Sequence, residues 1–185
     1  EAEKFRRYYI MLTQWMVDTE NFDQLKQSEI VFHQKTPVYI KTISKSIEKL
    51  IKYQFALCYF FNNQYDESID RFMEIIHDED NKRDKSIVGF CQIWIILAHY
   101  EMGNTSILPY LSNSTYRYFK KNRVLHKIDK KIFEFFQDEK NLEGDQFYSS
   151  ISDLNAYLKK SIKPADDKNR IYSLILRWTD KKLSH

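Results

Sequence analysis

A chain of 185 residues with 43% hydrophobic and 30% charged residues has the balance of a folded globular protein, which excludes a disordered one. Its 3 glycines and 3 prolines are too few for the frequent turns of a sheet-rich fold, so the composition points to long helices with short connections. A formal net charge of +3 and an isoelectric point of about 8.7 make it mildly basic, below the usual range of dedicated nucleic-acid binders.

Taken in chain order, Phe5, Tyr8, Tyr9, Leu12 and Met16 keep helical spacing and predict a first helix over 2–18. Asn21 caps a predicted second helix that runs through Gln34 with Phe22, Leu25 and Phe32 inside. Thr36-Pro37 reads as a helix start, a capping hydroxyl followed by proline at the first helical position, and the third helix is expected from Pro37 to about Asn62. Asn62-Asn63 breaks it. Ile69, Phe72, Met73 and Ile76 mark a fourth helix over about 66–78, and His77 to Asp84 is a charged connection. The fifth, about 85–102, is apolar on nearly every face between Ile87 and Ala98, so it is expected at the centre of the domain and ends at the C-cap glycine Gly103.

A sixth helix is expected from Thr105 or Ser106 to Lys121 with Pro109 in its first turn, and a seventh over about 125–138. Phe147, Ile151, Leu154 and Leu158 mark the eighth, Lys163 to Asp167 a loop around Pro164, and Ile171, Leu174, Ile175 and Trp178 the ninth. The reading is all-α: antiparallel helical hairpins stacked as a short α-solenoid of about nine helices. It is taken as a single domain over 1–185 with a divergent C-terminal part at 125–185. The chain begins at Glu1 without methionine, which reads as a piece of a longer protein. Its longest apolar run, Ile87 to Ala98, is shorter than the roughly 18 residues a membrane span needs, so no membrane insertion is expected in this segment. Cys58 and Cys91 lie in apolar helical patterns and are read as buried reduced thiols of a cytoplasmic protein.

Residues 49–80 carry a recognisable register. Ala56 takes a small position on the first helix of a pair and Tyr59 follows. Tyr65 opens the second helix, Ser68 stands at a second small position, and Phe72 follows as an aromatic; the turn reads Asn63-Gln64-Tyr65-Asp66-Glu67-Ser68-Ile69. This stretch resembles a tetratricopeptide repeat, in which small residues let two helices cross closely while aromatics fill the groove between pairs. Lys52, Ile75 and Asp80 depart from the pattern. A weaker match covers Ile95 to Asn104, and residues 125–185 match no repeat. The resemblance implies a protein or peptide partner, or a second copy of the chain, held on the inner face of the first helices. Carried onto this sequence, that face is Tyr53, Gln54, Leu57, Phe60 and Phe61, with Trp94, Tyr100 and Glu101 in the second unit. So apolar a face is also what an intramolecular helix would cover.

The segment Arg117 to Lys131 concentrates Arg117, Lys120, Lys121, Arg123 and Lys127 with Tyr116, Tyr118 and Phe119 interleaved. Basic residues among aromatics can grip phosphates and stack on bases, which makes a nucleic-acid-binding helical domain the alternative function. Equally, such a run is an ordinary solvated face at a helix C-terminus. His77-Asp78-Glu79-Asp80 lacks a second cluster at ligand spacing, so no metal site is expected. His99 reads as a core residue. No glycine-rich phosphate loop, nucleophile elbow or activated cysteine is visible, hence no catalytic residues and no cofactor are expected. The sequence reads as a protein-interaction or scaffold module rather than an enzyme.

Overall fold

In the computed structural model, residues 1–39, 44–78, 84–142, 144–162 and 169–184 are described. Among them the chain is all-helical, with nine α-helices, two single 3-10 turns and no strand. The helices are α1 (Ala2–Thr19), α2 (Leu25–Tyr39), α3 (Lys45–Phe61), α4 (Tyr65–Ile76), α5 (Lys85–Glu101), α6 (Leu108–Lys121), α7 (Lys127–Gln137), α8 (Asp145–Ser161) and α9 (Asn169–Leu183). They fall into two compact units, Glu1–Met102 and Gly103–His185.

In the first unit α3 is the spine, with α1, α2 and α4 packed against it and α5 against α4. The α3–α4 hairpin is closed by Asn62-Asn63-Gln64. Asn63 adopts the left-handed conformation at φ 59°, the Gln64 N–H donates to the Tyr59 carbonyl at 2.9 Å, and that of Asn63 to Phe60 at 3.0 Å. This is the hydrogen-bond pattern that terminates helices with glycine or asparagine just past the end. At the crossing Ala56 and Ser68 are fully buried, and the Ser68 hydroxyl donates to the Ala56 carbonyl at 2.9 Å. Small side chains at both positions allow that approach. Phe5, Tyr9, Phe32 and Phe55 join α1, α2 and α3 through ring contacts of 5.1–6.1 Å.

The boundaries around α2 differ from the sequence reading. Helix α2 runs through Thr36 and Pro37 to Tyr39, and α3 begins at Lys45 behind Ser44, whose Oγ accepts from the Ile47 N–H. The Thr36 hydroxyl turns back to the Phe32 carbonyl at 2.7 Å instead of capping forward. Pro37 sits in the last turn, where it has no N–H to give to the His33 carbonyl, and the helix ends two residues on at Tyr39. Likewise the second helix starts at Leu25, past Phe22. The loop expected over 163–167 and most of the charged connection, 79–83, lie outside the described residues.

In the second unit α6 packs on α7, α7 on α8 and α8 on α9. Its core holds Phe119 against Phe133 at 5.3 Å and Phe136 against Trp178 at 6.0 Å, with Ile132, Ile151, Leu154 and Leu158 buried around them. Asp129 is fully buried on α7. It accepts from the His126 N–H at 2.7 Å, which caps its own helix, and from the Tyr172 hydroxyl at 2.8 Å, which ties α9 to α7. Asn155 on α8 donates to Thr179 and Asp180 on α9, both at 2.8 Å.

Candidate functional site

The face that the repeat register nominates is packed, not open. Tyr53, Leu57, Phe60, Phe61 and Trp94 are buried, and Gln54, Tyr100 and Glu101 are half-buried. Within the first unit α5 supplies part of the cover. The Trp94 indole stacks edge-on against Phe60 at 4.9 Å and Phe61 at 5.7 Å, and its Nε1–H donates to the Tyr53 hydroxyl at 2.7 Å. Gln54 accepts a hydrogen bond from Thr13 of α1. Glu101 accepts from Tyr65, whose phenol is pushed up to about 12 by burial and by that carboxylate. The structure thus buries Tyr53, Leu57, Phe60, Phe61 and Trp94 and leaves Gln54, Tyr100 and Glu101 half-buried at the margin. Periodicity identifies which residues share a face. It does not say which neighbour covers them.

A charged network that no local motif announces lies on the other side of the same spine. Glu29 of α2 is 5% exposed. It accepts from the Tyr59 hydroxyl at 2.7 Å and from Arg71 of α4 at 2.8 Å, with His33 Nε2 3.9 Å away. Arg71 also lies over the Tyr59 ring, 5.3 Å from its centre. Burial pushes the Glu29 carboxyl up, but the bonds from His33, Arg71 and Tyr59 outweigh it and hold the group at about 2. Tyr59 and Arg71 stand 30 and 42 positions from Glu29 in sequence, so only the fold reveals the tie. Lys49, 2% exposed, reaches Asp78 at 3.4 Å and Asp84 at 4.0 Å, tying the start of α3 to the adjoining ends of α4 and α5. Both networks are finished structural ties, with each charge matched by its opposite.

Cys58 and Cys91 are buried free thiols, and burial pushes both well above the ordinary thiol range, which leaves them protonated. His99 is half-buried, and burial pulls its imidazole down. No group of three metal-ligating side chains occurs among the described residues. Asp78 faces Lys49, while residues 79 and 80 lie outside the description. One open hollow at the α1–α2 turn is lined by Glu20, Asn21, Asp23 and Asn62, and a smaller one in the second unit by Glu134, Asn141, Ser150 and Asp153. Neither pairs a nucleophile with a base.

The basic segment is different. Arg117, Lys120, Lys121, Arg123 and Lys127 are all exposed around the α6–α7 turn, and none of these side chains has an ion-pair or hydrogen-bond partner among the described residues. Of the interleaved aromatics only Phe119 reaches the interior, and Tyr116 and Tyr118 are half-buried. Tyr116 packs edge-on against Phe133 at 6.0 Å. The direction of Phe119 was readable in the spacing, since Leu108, Ser112, Thr115 and Phe119 recur at helical intervals and are the buried face of α6. Arg123 adopts the left-handed conformation at φ 57°, one residue past the C-cap of α6, where the Val124 N–H closes the helix onto the Phe119 carbonyl at 3.1 Å. Glycine is the usual residue there, because an arginine Cβ is strained in that conformation. The charge is also unevenly divided. Residues 103–185 hold 16 Lys and Arg against 10 Asp and Glu, a net of +6, whereas residues 1–102 hold 13 against 16, a net of −3.

Set against known proteins, the chain matches no family model, no curated protein and no solved structure. Among the described residues no helix is long and apolar enough to cross a membrane.

Proposed function

We propose that this chain is a protein-interaction module of tetratricopeptide-like architecture that works by holding a partner rather than by chemistry. The close crossing of α3 and α4 over Ala56 and Ser68 supports the architectural half of that reading. The observation that carries the binding half is the row of exposed cations at the α6–α7 turn that have no partner among the described residues. The partner is then a protein bearing an acidic segment. The face over α3 and α5 is filled by the chain's own side chains, so the partner is expected on the basic row instead.

The same cations would suit a nucleic-acid backbone, which keeps that reading as the second. The partial burial of the aromatics weighs against it, since Phe119 is buried and Tyr116 and Tyr118 are half-buried, which reduces the stacking surface for unpaired bases. The experiment is affinity capture with chemical cross-linking from nuclease-treated lysate. It compares the chain with a triple reversal, Lys120→Glu, Lys121→Glu and Arg123→Glu. The proposal expects a protein that survives nuclease treatment, weakens with added salt and is lost in the reversed variant. Capture that disappears with nuclease alone would establish the nucleic-acid reading. Protein capture unchanged by the reversal would rule out the basic row.

A further inference from the structure

Helix α6 contains no acidic residue, so none of its cations, Arg117, Lys120 and Lys121, can pair along its own surface. Its buried side is Leu108, Ser112, Thr115 and Phe119. The stripe directly opposite, at about 3.6 residues per turn, is Tyr110, Ser114, Arg117 and Lys121, all exposed. Tyr110 is 74% exposed and has no ring contact or hydrogen bond among the described residues. Ile107, in the 3-10 turn just before α6, is exposed one helical step away. A lone exposed aromatic is ordinary on a protein surface. This one shares a stripe with cations that lack partners. The helix dipole accounts for Lys120 and Lys121, which sit in the last turn of α6. Arg117 stands one turn further in, and Lys127 opens α7 at the end where a cation is disfavoured, so neither charge is placed for helix stability.

We infer that this stripe of α6 is a two-part docking surface for an acidic protein segment that carries an aromatic anchor. The inference rests on the basic row as the partner-binding surface and adds what the partner must contain. The anchor packs on Tyr110 and Ile107, and carboxylates reach Arg117 and Lys121. Charge chooses the occupant, because the stripe holds only cations and neutral groups and a segment rich in carboxylates complements it. From Tyr110 the helical rise sets Arg117 about 10 Å away and Lys121 about 16 Å away. An extended chain, at about 3.3 Å per residue, covers those distances in three to five residues. The recognised sequence therefore has its aromatic three to five residues from its acids. The two parts differ in character: the cations attract over a distance that salt screens, whereas Tyr110 offers a rigid apolar contact that salt does not screen. A single-stranded nucleic acid fits less well, since successive bases stack on successive aromatics and the stripe presents one ring.

Fluorescence anisotropy tests this with two labelled polymers of matched length, each titrated with the whole chain. One is poly-glutamate. The other is a random copolymer of glutamate and tyrosine with about one tyrosine in five residues, which matches the spacing. On charge alone the copolymer, having fewer carboxylates, binds more weakly. The inference expects it to bind roughly 3- to 10-fold more tightly at about 0.1 M salt. Tyr110→Ser should remove that advantage and leave poly-glutamate binding unchanged. Tyr148→Ser, at an exposed tyrosine of α8, should leave the advantage intact. Both side chains are exposed, so circular dichroism should match the wild type. Arg117→Glu with Lys121→Glu should weaken both polymers. A copolymer no tighter than poly-glutamate, or an advantage that survives Tyr110→Ser, would overturn the two-part surface and leave the basic row standing. Binding of neither polymer would overturn the basic row as a site for acidic segments, and this inference with it. A thymidine oligonucleotide that displaces the copolymer at lower concentration than poly-glutamate does would assign the stripe to nucleic acid and overturn the acidic occupant.

Discussion

Glu29 is a carboxylate with very little water around it and two close partners, Tyr59 and Arg71, that bind its charged form. Its folded value of about 2 lies below the ordinary 4.5. A depressed carboxylate stabilises the folded state above its unfolded value and loses that contribution as pH falls through the folded one. Its share is therefore complete above pH 5 and fades between about 4.5 and 2. Glu29→Gln keeps the size and removes the charge. It is expected to lower stability by about 2–3 kcal/mol at pH 7, because Arg71 and Tyr59 lose a charged acceptor. Urea unfolding from pH 7 to pH 3 checks this: the wild-type and variant curves should converge on acidification, and parallel curves would refute the account of Glu29. Arg123 tests the opposite relation. Arg123→Gly relieves the left-handed strain and should raise stability by roughly 0.5–1 kcal/mol while weakening partner capture. If stability falls instead, Arg123 is a structural residue and the strain has another cause.

At the scale of elements, the α3–α4 hairpin rests on two small residues. Ala56→Leu puts three carbon atoms into a fully buried crossing and should cost about 2–3 kcal/mol. Ser68→Ala removes one hydroxyl, whose acceptor is a helix carbonyl, and should cost under about 1 kcal/mol. Chemical denaturation of both variants measures the contrast, and equal losses would mean that the crossing is not size-limited. This hairpin was legible in the sequence because its signals are local: Ala56, Ser68, Phe72 and the Asn62-Asn63 break all act within thirty residues. The all-round apolar α5 and the glycine end at Gly103, at φ 75°, were legible for the same reason. Thr36-Pro37 misled because a threonine hydroxyl can bond forward as a cap or back to its own helix, and the residues alone do not choose. The Glu29–Tyr59–Arg71 tie and the Asp129–Tyr172 tie were invisible, since each joins residues far apart in sequence.

For the molecule as a whole, the sequence groups residues by face and leaves open which face meets solvent. Tyr53, Leu57, Phe60, Phe61 and Trp94 became core, while the basic run kept its exposure, with Phe119 buried and Tyr116 and Tyr118 half-buried. That exchange moves the expected binding surface from the first unit, net −3, to the second, net +6. A partner steered by such a field associates faster at low salt and is released as salt screens it, over a Debye length of about 8–10 Å near physiological ionic strength. The most direct measurement is hydrogen exchange, followed by mass spectrometry, on the chain with and without its captured partner. The account predicts slowed exchange across residues 116–131, with residues 53–61 and 94–101 unchanged. Protection confined to 53–61 and 94–101, with 116–131 untouched, would contradict it.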